Sequence, residues 1–146
     1  MREPARRWLL LLGSSCADDT LMHAALTQLR ARGSATWLTP VQRFAADDGS
    51  ARQFYNALLA WDVAATSAGA HAQIRQIELA LGRDRTRNDE VAIDIDLLAG
   101  LVDGQWHAYA HALDKHEFDR ALVRGLLHQA GVTVVRDDGA QPQALR

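Results

Sequence analysis

Two aspartates, Asp94 and Asp96, have the spacing in this chain that most directly suggests chemistry. They lie in the alternating segment V-A-I-D-I-D-L-L at residues 91–98. Side chains two residues apart on a strand point to the same side, with Cα atoms roughly 6.5–7 Å apart. Two like charges on one face are costly without a counter-charge, and a Mg²⁺ ion that also binds phosphate would supply one. The alternative is that both carboxylates lie on the solvated outer face of a half-buried strand.

A run of arginines, Arg83, Arg85 and Arg87, stands directly upstream of the two aspartates. Planar guanidinium groups suit the recognition of phosphate oxygens. Carboxylates that hold Mg²⁺ next to arginines that bind phosphate would suit phosphoryl or pyrophosphoryl transfer. The alternative is that residues 83–90 form a solvated charged loop. A Walker-type phosphate loop is not found in the sequence.

Three other features could contribute to a site. Glu78 falls on or beside the buried stripe of a predicted helix, where a carboxylate needs hydrogen-bond donors. We expect it to accept backbone hydrogen bonds from a neighbouring loop in a structural role, with catalysis as the alternative. Phe54 and Asn56 share one strand face, where they could stack on and hydrogen-bond a flat heterocycle, or simply pack in the core. The six histidines show no metal-ligand spacing.

The composition is that of a globular protein. The chain has 146 residues, of which 48% are hydrophobic and 23% charged, and these values exclude a disordered or fibrous chain. We predict one domain over residues 1–146. The formal net charge of −2 provides no basic field for nucleic acid or membranes. Lys115 is the single lysine among the 16 basic residues, a bias typical of GC-rich genomes.

Cysteine usage and hydropathy indicate where the protein works. Cys16 is the single cysteine, which excludes an intrachain disulfide and favours a reducing compartment. The apolar run at residues 8–12 is shorter than the roughly seven residues of a signal-peptide core or the roughly twenty of a membrane span. We therefore expect a cytoplasmic protein that does not bind membranes.

Hydrophobic periodicity and turn residues predict the element order β, α, β, β, α, β, followed by one further helix and strand. The predicted strands cover residues 8–14, 35–46 with an interruption at Pro40, 54–63, 91–100, 105–110 and 132–135, and the predicted helices cover 20–32, 67–81 and 115–129. This order predicts an α+β fold, the ferredoxin-like split βαβ sandwich, with an antiparallel sheet and helices on one face. Residues 37–44 could form an edge strand open to pairing, but the oligomeric state is not predicted.

Taken together, these segments resemble the 6-hydroxymethyl-7,8-dihydropterin pyrophosphokinase family of the folate pathway. The strongest match is I-E-L-A-L-G-R-D-R at 77–85 with I-D-I-D-L-L-A-G at 93–100, where the family has I-E-x-x-x-G-R-x-R, a short loop and D-x-D-x-L. L-G-S-S at 12–15 is similar to the family's G-S-N, and F-Y-N-A at 54–57 to its aromatic-x-N-A. The resemblance spans roughly residues 9–100.

The resemblance implies an activity and a set of site residues. ATP would bind with two Mg²⁺ ions, and the hydroxymethyl oxygen of the pterin would attack the β-phosphorus and release AMP. Catalytic roles are implied for Arg83, Asp94 and Asp96, with both aspartates as metal ligands, ATP contacts for Arg83, Arg85, Arg87 and His111, and pterin contacts for Gly13, Phe54 and Asn56. Positioning and charge neutralisation would supply most of the rate.

The chain departs from the family pattern at several positions. Val91 stands where the family has an arginine three residues before the first aspartate, and residues 39–44 lack its pterin-lining strand pattern. Glu117 stands where the family has an arginine six residues after a histidine, with Arg120 as a spatial substitute. Two alternatives therefore remain: a catalytically impaired paralogue that binds nucleotide or pterin as a regulatory module, and a related transferase with another acceptor. The aspartate pair disfavours a ferredoxin-like interaction domain without a nucleotide site.

Overall fold

The computed structural model describes residues 7–46, 49–82 and 92–136. The strands are β1 (Arg7–Ser14), β2 (Ser34–Trp37), β3 (Gln42–Ala45), β4 (Gln53–Asp62), β5 (Asp94–Val102), β6 (Gln105–Ala108) and β7 (Val134–Val135). The helices are α1 (Thr20–Arg30), α2 (Ser67–Ala80), α3 (Ala110–Asp114) and α4 (Ala121–Ala130), with a 3₁₀ turn at Glu117–Asp119 between the last two. Within these ranges, no helix combines the length and the apolar character needed to span a bilayer.

The described strands form one sheet in the order β2-β4-β1-β5-β6-β7, with β3 also paired to β4. β1 lies between β4 and β5 and is antiparallel to both. β2 and β3 both pair antiparallel with β4, and β6 pairs antiparallel with β5. Strand β4 separates β1 from β2, and β1 separates β4 from β5, so each βαβ unit is split. The predicted α+β, ferredoxin-like fold is confirmed.

Both faces of the sheet are covered, because the central strand is apolar on both sides. The four leucines of β1 at residues 9–12 are at most 2% exposed. One face packs on α1 and α2, through residues that include Leu10, Leu12, Leu29, Trp61, Ile74 and Ile95. The opposite face packs on the chain after β6, through residues that include Leu9, Leu11, Leu58, Phe118, Val123 and Leu126. The sequence predicted helices on one face, and the added C-terminal helices bury the second.

The prediction of one helix over residues 115–129 is wrong for its first part. The backbone of His116 is left-handed, with φ 57°, so α3 ends before it and α4 begins after Arg120. The 3₁₀ turn between them buries Phe118 in the second face. A continuous helix would place Lys115 and Glu117 differently, and both side chains contribute to the site described below.

Strand β5 continues two residues beyond its predicted end at Gly100. A tight hairpin at Asp103 and Gly104 joins it to β6, and both turn residues have positive φ angles, 53° and 77°. Two-residue turns of this kind match the twist of antiparallel strands, and an Asp-Gly pair favours them. The extension adds the pairs Leu101–Trp106 and Val102–Gln105, which brings the pairing positions between β5 and β6 to four.

We predict that Gly33 is required where α1 leads into β2. A β-carbon at this position would overlap the backbone carbonyl oxygen of Asp62, the residue that pairs with Ser34. Gly33→Ala should therefore lower the free energy of unfolding by about 1–3 kcal/mol, measured by urea denaturation. Gly125→Ala is the matched control, since it adds a methyl group in open space within α4 and should stabilise the protein slightly. Equal stability of Gly33→Ala and wild type would contradict this packing.

Candidate functional site

The site begins with one row of residues across the three central strands. Gly13 of β1 pairs with Asn56 of β4 on one side and with Asp94 of β5 on the other. Leu11 occupies the next row on the same face and pairs with Asp96. The antiparallel register therefore places the Asn56 amide and the two carboxylates on one face, on either side of a strand position without a side chain.

A cavity of about 720 Å³ opens over this face, and we name it the aromatic cavity. Its floor includes Gly13, Asn56 and both aspartates, and Phe44 and Phe54 line it from a register pair between β3 and β4. Helix α4 lines the opposite side, through Ala121, Leu122, Gly125, Leu126 and Gln129. Apolar and aromatic walls with a few polar groups are typical of a site for a flat organic ligand.

Gly13 gives the Asn56 amide the space that it occupies. The Asn56 Nδ2 atom donates a hydrogen bond to the carbonyl oxygen of Leu12 at 3.3 Å. A β-carbon on Gly13 would lie 2.8 Å from the same Nδ2 atom. Any residue larger than glycine would thus push the amide out of its position, so Gly13 and Asn56 depend on each other.

A second, smaller cavity of about 190 Å³ lies on the other side of the aspartates, and we name it the polar cleft. Asp94 and Asp96 line both cavities. The other polar side chains in the cleft are His71, Arg75, Glu78, Tyr109, His111, Lys115 and Glu117. The His71 and His111 rings lie 6.0 Å apart between centroids. Arg75 and Lys115 therefore lie on the same cleft as the two aspartates, together with two histidines and two glutamates.

Buried hydrogen bonds fix the aspartates relative to helix α2 and strand β1. Glu78 is 2% exposed, and its Oε2 atom accepts a hydrogen bond of 2.8 Å from the backbone N–H of Ile95. Ile95 is the residue between the two aspartates, so this bond fixes the segment of β5 that carries both carboxylates against helix α2. At the end of β1, the Ser14 hydroxyl donates to the carbonyl oxygen of Ala92 at 2.6 Å. The sequence predicted a loop as the partner of Glu78, whereas the donor is a strand.

The Asp96 carboxylate lies in a dense arrangement of charges. Its Oδ1 atom is 3.1 Å from Lys115 Nζ, which also lies 3.4 Å from Glu117 Oε2. Burial raises the pKa of Asp96 from 3.8 to about 7, and the charges of Asp94 and Glu117 add to this effect. Burial lowers the pKa of Lys115, but the carboxylates of Asp96, Glu117 and Asp94 outweigh it, so its pKa is raised. The site thus has more negative charge than Lys115 alone balances.

Comparison with known proteins connects this geometry to a family. A family profile for 7,8-dihydro-6-hydroxymethylpterin-pyrophosphokinase (HPPK) matches residues 9–118. The chain belongs to the HPPK family. The match extends beyond residue 100, where the resemblance seen in the sequence becomes thin, and it includes Lys115 and Glu117.

Two further comparisons are less informative about this HPPK family member. The solution structure of the C-terminal domain of the MgtC protein from Mycobacterium tuberculosis matches with a TM-score of 0.36 and 15% identity, over 66% of this chain and 92% of that domain. Similarity at this level supports no inference about the chain. A search of curated proteins gave no match.

The two aspartates provide a donor set that fits Mg²⁺. Both carry hard oxygen donors on one strand, and their mutual repulsion is the cost that a divalent cation would remove. Among residues 7–46, 49–82 and 92–136, no group of three or more His, Cys, Asp or Glu side chains is arranged to hold a metal ion. Mg²⁺ commonly binds through one or two carboxylates together with substrate phosphates, which is the arrangement that a pair of aspartates allows.

The structure brings most of the predicted site residues together. Gly13, Phe54, Asn56 and the aspartates line the aromatic cavity, and His111 lines the polar cleft. The predicted phosphate ligands Arg83, Arg85 and Arg87 lie outside the described residues, as does Val91. Their roles therefore stay predictions from the family resemblance.

Several residues of the two cavities were not identified from the sequence. His71 and Arg75 are among them, and they lie on one stripe of α2 with Glu78, at spacings of four and three residues. That spacing was the available signal, but polar residues at such positions usually belong to a solvated helix face. Phe44 had a weaker signal, because the segment that contains it lacks the family pattern.

The raised pKa of Asp96 predicts how stability depends on pH. Between pH 3.8 and about 7, the folded protein keeps a proton that the unfolded chain has released. The stability that this proton provides is complete below pH 3.8 and is lost as the pH rises through about 7. Urea unfolding in metal-free buffer at about pH 5 and pH 8 should show a loss of roughly 1–4 kcal/mol in wild type that Asp96→Asn lacks.

The matched control for this measurement is Asp103→Asn in the β5–β6 turn, where asparagine is also well tolerated. Its pH dependence should equal that of wild type. If Asp96→Asn shows the wild-type pH dependence as well, the charge arrangement described around Asp96 is wrong.

Proposed function

We propose that this protein transfers pyrophosphate from ATP to the hydroxymethyl group of 6-hydroxymethyl-7,8-dihydropterin and releases AMP. The observation that supports this most strongly is the position of Asp94 and Asp96, which line both the aromatic cavity and the polar cleft. A cation bound to this pair would lie between an acceptor in one cavity and a phosphate donor in the other. Membership of the HPPK family supports the same reaction class.

The aromatic cavity suits the pterin acceptor. Phe54 and Phe44 offer ring faces on which a flat heterocycle can stack, and the Asn56 amide offers hydrogen bonds to its edge. The cavity volume of about 720 Å³ is ample for a bicyclic ring with one short substituent. Gly13 leaves the space in which the Asn56 amide is held, one strand away from Asp94. These contacts would orient the hydroxymethyl oxygen towards the carboxylate pair.

The polar cleft suits the triphosphate of the donor. Arg75, His71 and His111 line it, and Arg83, Arg85 and Arg87 are predicted to add phosphate contacts. Asp94 and Asp96 would hold Mg²⁺, which when bound neutralises the phosphate charge that develops during transfer. The acceptor oxygen forms a bond to the β-phosphorus, the bond from that phosphorus to the bridging α-phosphate oxygen breaks, and the hydroxyl proton leaves to solvent.

A second candidate function is favoured by one specific observation. Glu117 places a buried carboxylate where the family resemblance implies an arginine, and its neighbour Lys115 pairs with one of the two proposed metal ligands. A protein with this arrangement could bind nucleotide or pterin without transferring pyrophosphate and serve as a regulatory module. Measuring binding and turnover separately distinguishes the two functions.

We expect AMP to form when the protein is incubated with ATP, Mg²⁺ and the hydroxymethyl pterin, as followed by chromatography. Asp94→Asn should lower the rate about 100-fold or more, which is the usual effect of removing one group that stabilises charge in a transition state. Asp103→Asn changes the β5–β6 turn, which lines neither cavity, and should retain the wild-type rate. AMP formation that persists in Asp94→Asn would contradict the proposed role of the aspartate pair.

The absence of AMP from the wild-type reaction would overturn the proposed transfer. If calorimetry then still showed Mg–ATP binding, the regulatory alternative would be supported. If AMP formed only with a different hydroxyl acceptor, the protein would be a related transferase, and the pterin assignment of the aromatic cavity would be wrong.

Gly13→Ala tests the pterin assignment separately from the metal site. The added methyl group displaces the end of the Asn56 side chain rather than backbone, so the free energy of unfolding should change little. The KM for the pterin should rise about tenfold, because a hydrogen-bonding group has moved. The KM for ATP serves as the internal control and should stay constant. An unchanged pterin KM would show that Asn56 does not bind the acceptor.

A further inference from the structure

Lys115 has a position that the proposed reaction does not yet explain. It is the one lysine of the chain, and it lies at the end of α3, on the wall of the polar cleft. Its Nζ atom contacts Asp96 Oδ1 at 3.1 Å and Glu117 Oε2 at 3.4 Å. A side chain at the end of a short helix is thereby directed to a carboxylate 19 residues earlier in the chain.

We propose that Lys115 binds the polyphosphate of the nucleotide, and that in the nucleotide-free protein its ammonium group is held by Asp96 and Glu117. This inference rests on the proposed function, because it assumes that Asp96 is a ligand of Mg²⁺ and that the polar cleft takes the triphosphate. Lys115 would then have two successive partners: a carboxylate before the nucleotide binds, and a phosphate oxygen afterwards.

Mg²⁺ and the Lys115 ammonium group would compete for the Asp96 carboxylate. A metal ion bound to the Asp96 carboxylate and an ammonium group 3.1 Å from its Oδ1 atom are two cations at one ligand. Like charges at such short range repel each other strongly in a partly buried site. Metal binding therefore weakens the contact between Lys115 and Asp96 and releases the ammonium group from one of its two partners.

Glu117 keeps a charged partner when Lys115 moves away. Glu117 is 3% exposed, and a buried carboxylate without a partner is strongly destabilising. Its two oxygens have different partners, since Oε2 faces Lys115 while Oε1 accepts a hydrogen bond of 2.8 Å from Arg120. Arg120 continues to compensate Glu117 when Lys115 turns towards the ligand.

Lys115 is also placed to reach a ligand in the polar cleft, because it lines that cleft. Its side chain is 45% exposed, against 14% for Asp96 and 4% for Glu117, so Lys115 is the least buried member of the cluster. The cleft that it lines also contains His71, Arg75 and His111. An added cation there suits an anion with several negative charges, such as a triphosphate, and lysine binds phosphate as a point charge from varied directions.

The experiment exploits opposite effects of one substitution, Lys115→Met. In nucleotide-free protein, Mn²⁺ binding measured by electron paramagnetic resonance should become tighter, since a competing cation is gone. In calorimetry with Mg²⁺ and a non-hydrolysable ATP analogue, nucleotide affinity should fall about tenfold, since a charge-assisted phosphate contact is lost. Lys115→Arg should restore most of the nucleotide affinity, and Arg32→Met, which removes an exposed cation from outside both cavities, should match wild type in both titrations.

Other results would overturn the inference. It fails if Lys115→Met binds the analogue within twofold of wild type, or if Mn²⁺ binding weakens, which would mean that Lys115 supports the metal ligands. Lys115→Gln repeats the test with a polar side chain should the methionine variant not fold. These readouts need no turnover, so a wild-type protein that binds Mg–ATP but forms no AMP leaves this inference standing while the proposed function fails. A wild-type protein that binds no Mg–ATP overturns both.

Discussion

The repulsion between two carboxylates on one face of a strand is the constraint around which this site is organised. Asp94 and Asp96 lie two residues apart on β5, so the strand backbone keeps their side chains on the same face. Burial next to Leu11 weakens the screening of their charges by water. Lys115 forms an ion pair with Asp96, and Glu78 accepts a hydrogen bond from the backbone N–H of Ile95, between the two aspartates. Such an arrangement is stable enough to fold, and it leaves negative charge that a divalent cation can balance.

The sheet gives this pair two different neighbourhoods. Strand register places Asn56 and Gly13 beside Asp94, and the β3–β4 pair adds two phenylalanine rings on the same face. Helix α2 and the segment after β6 add basic and imidazole groups on the other side. The apolar second face matters here, because covering it with α4 also builds the wall of the aromatic cavity. Helix α4 therefore both completes the core on this face and forms one wall of the aromatic cavity.

The parts of this arrangement that follow local rules could be predicted from the sequence. Alternation in β5 placed the aspartates on one face, and the glycine, aromatic and amide residues were recognised through short motifs. The break at His116 could not be predicted, because it depends on partners distant in sequence. Phe118 turns into the second face, and Lys115 and Glu117 turn towards Asp96. Helical periodicity alone favoured one continuous helix there, since it carries no information about a carboxylate on another strand.

The proposed function requires that Asp94 and Asp96 together bind the metal ion between the donor and acceptor sites. The most direct measurement is anomalous diffraction from crystals grown with Mn²⁺ and a non-hydrolysable ATP analogue. We expect manganese density bonded to oxygens of both Asp94 and Asp96 and to phosphate oxygens of the nucleotide. Nucleotide bound with manganese elsewhere, or with neither carboxylate among the metal ligands, would contradict it.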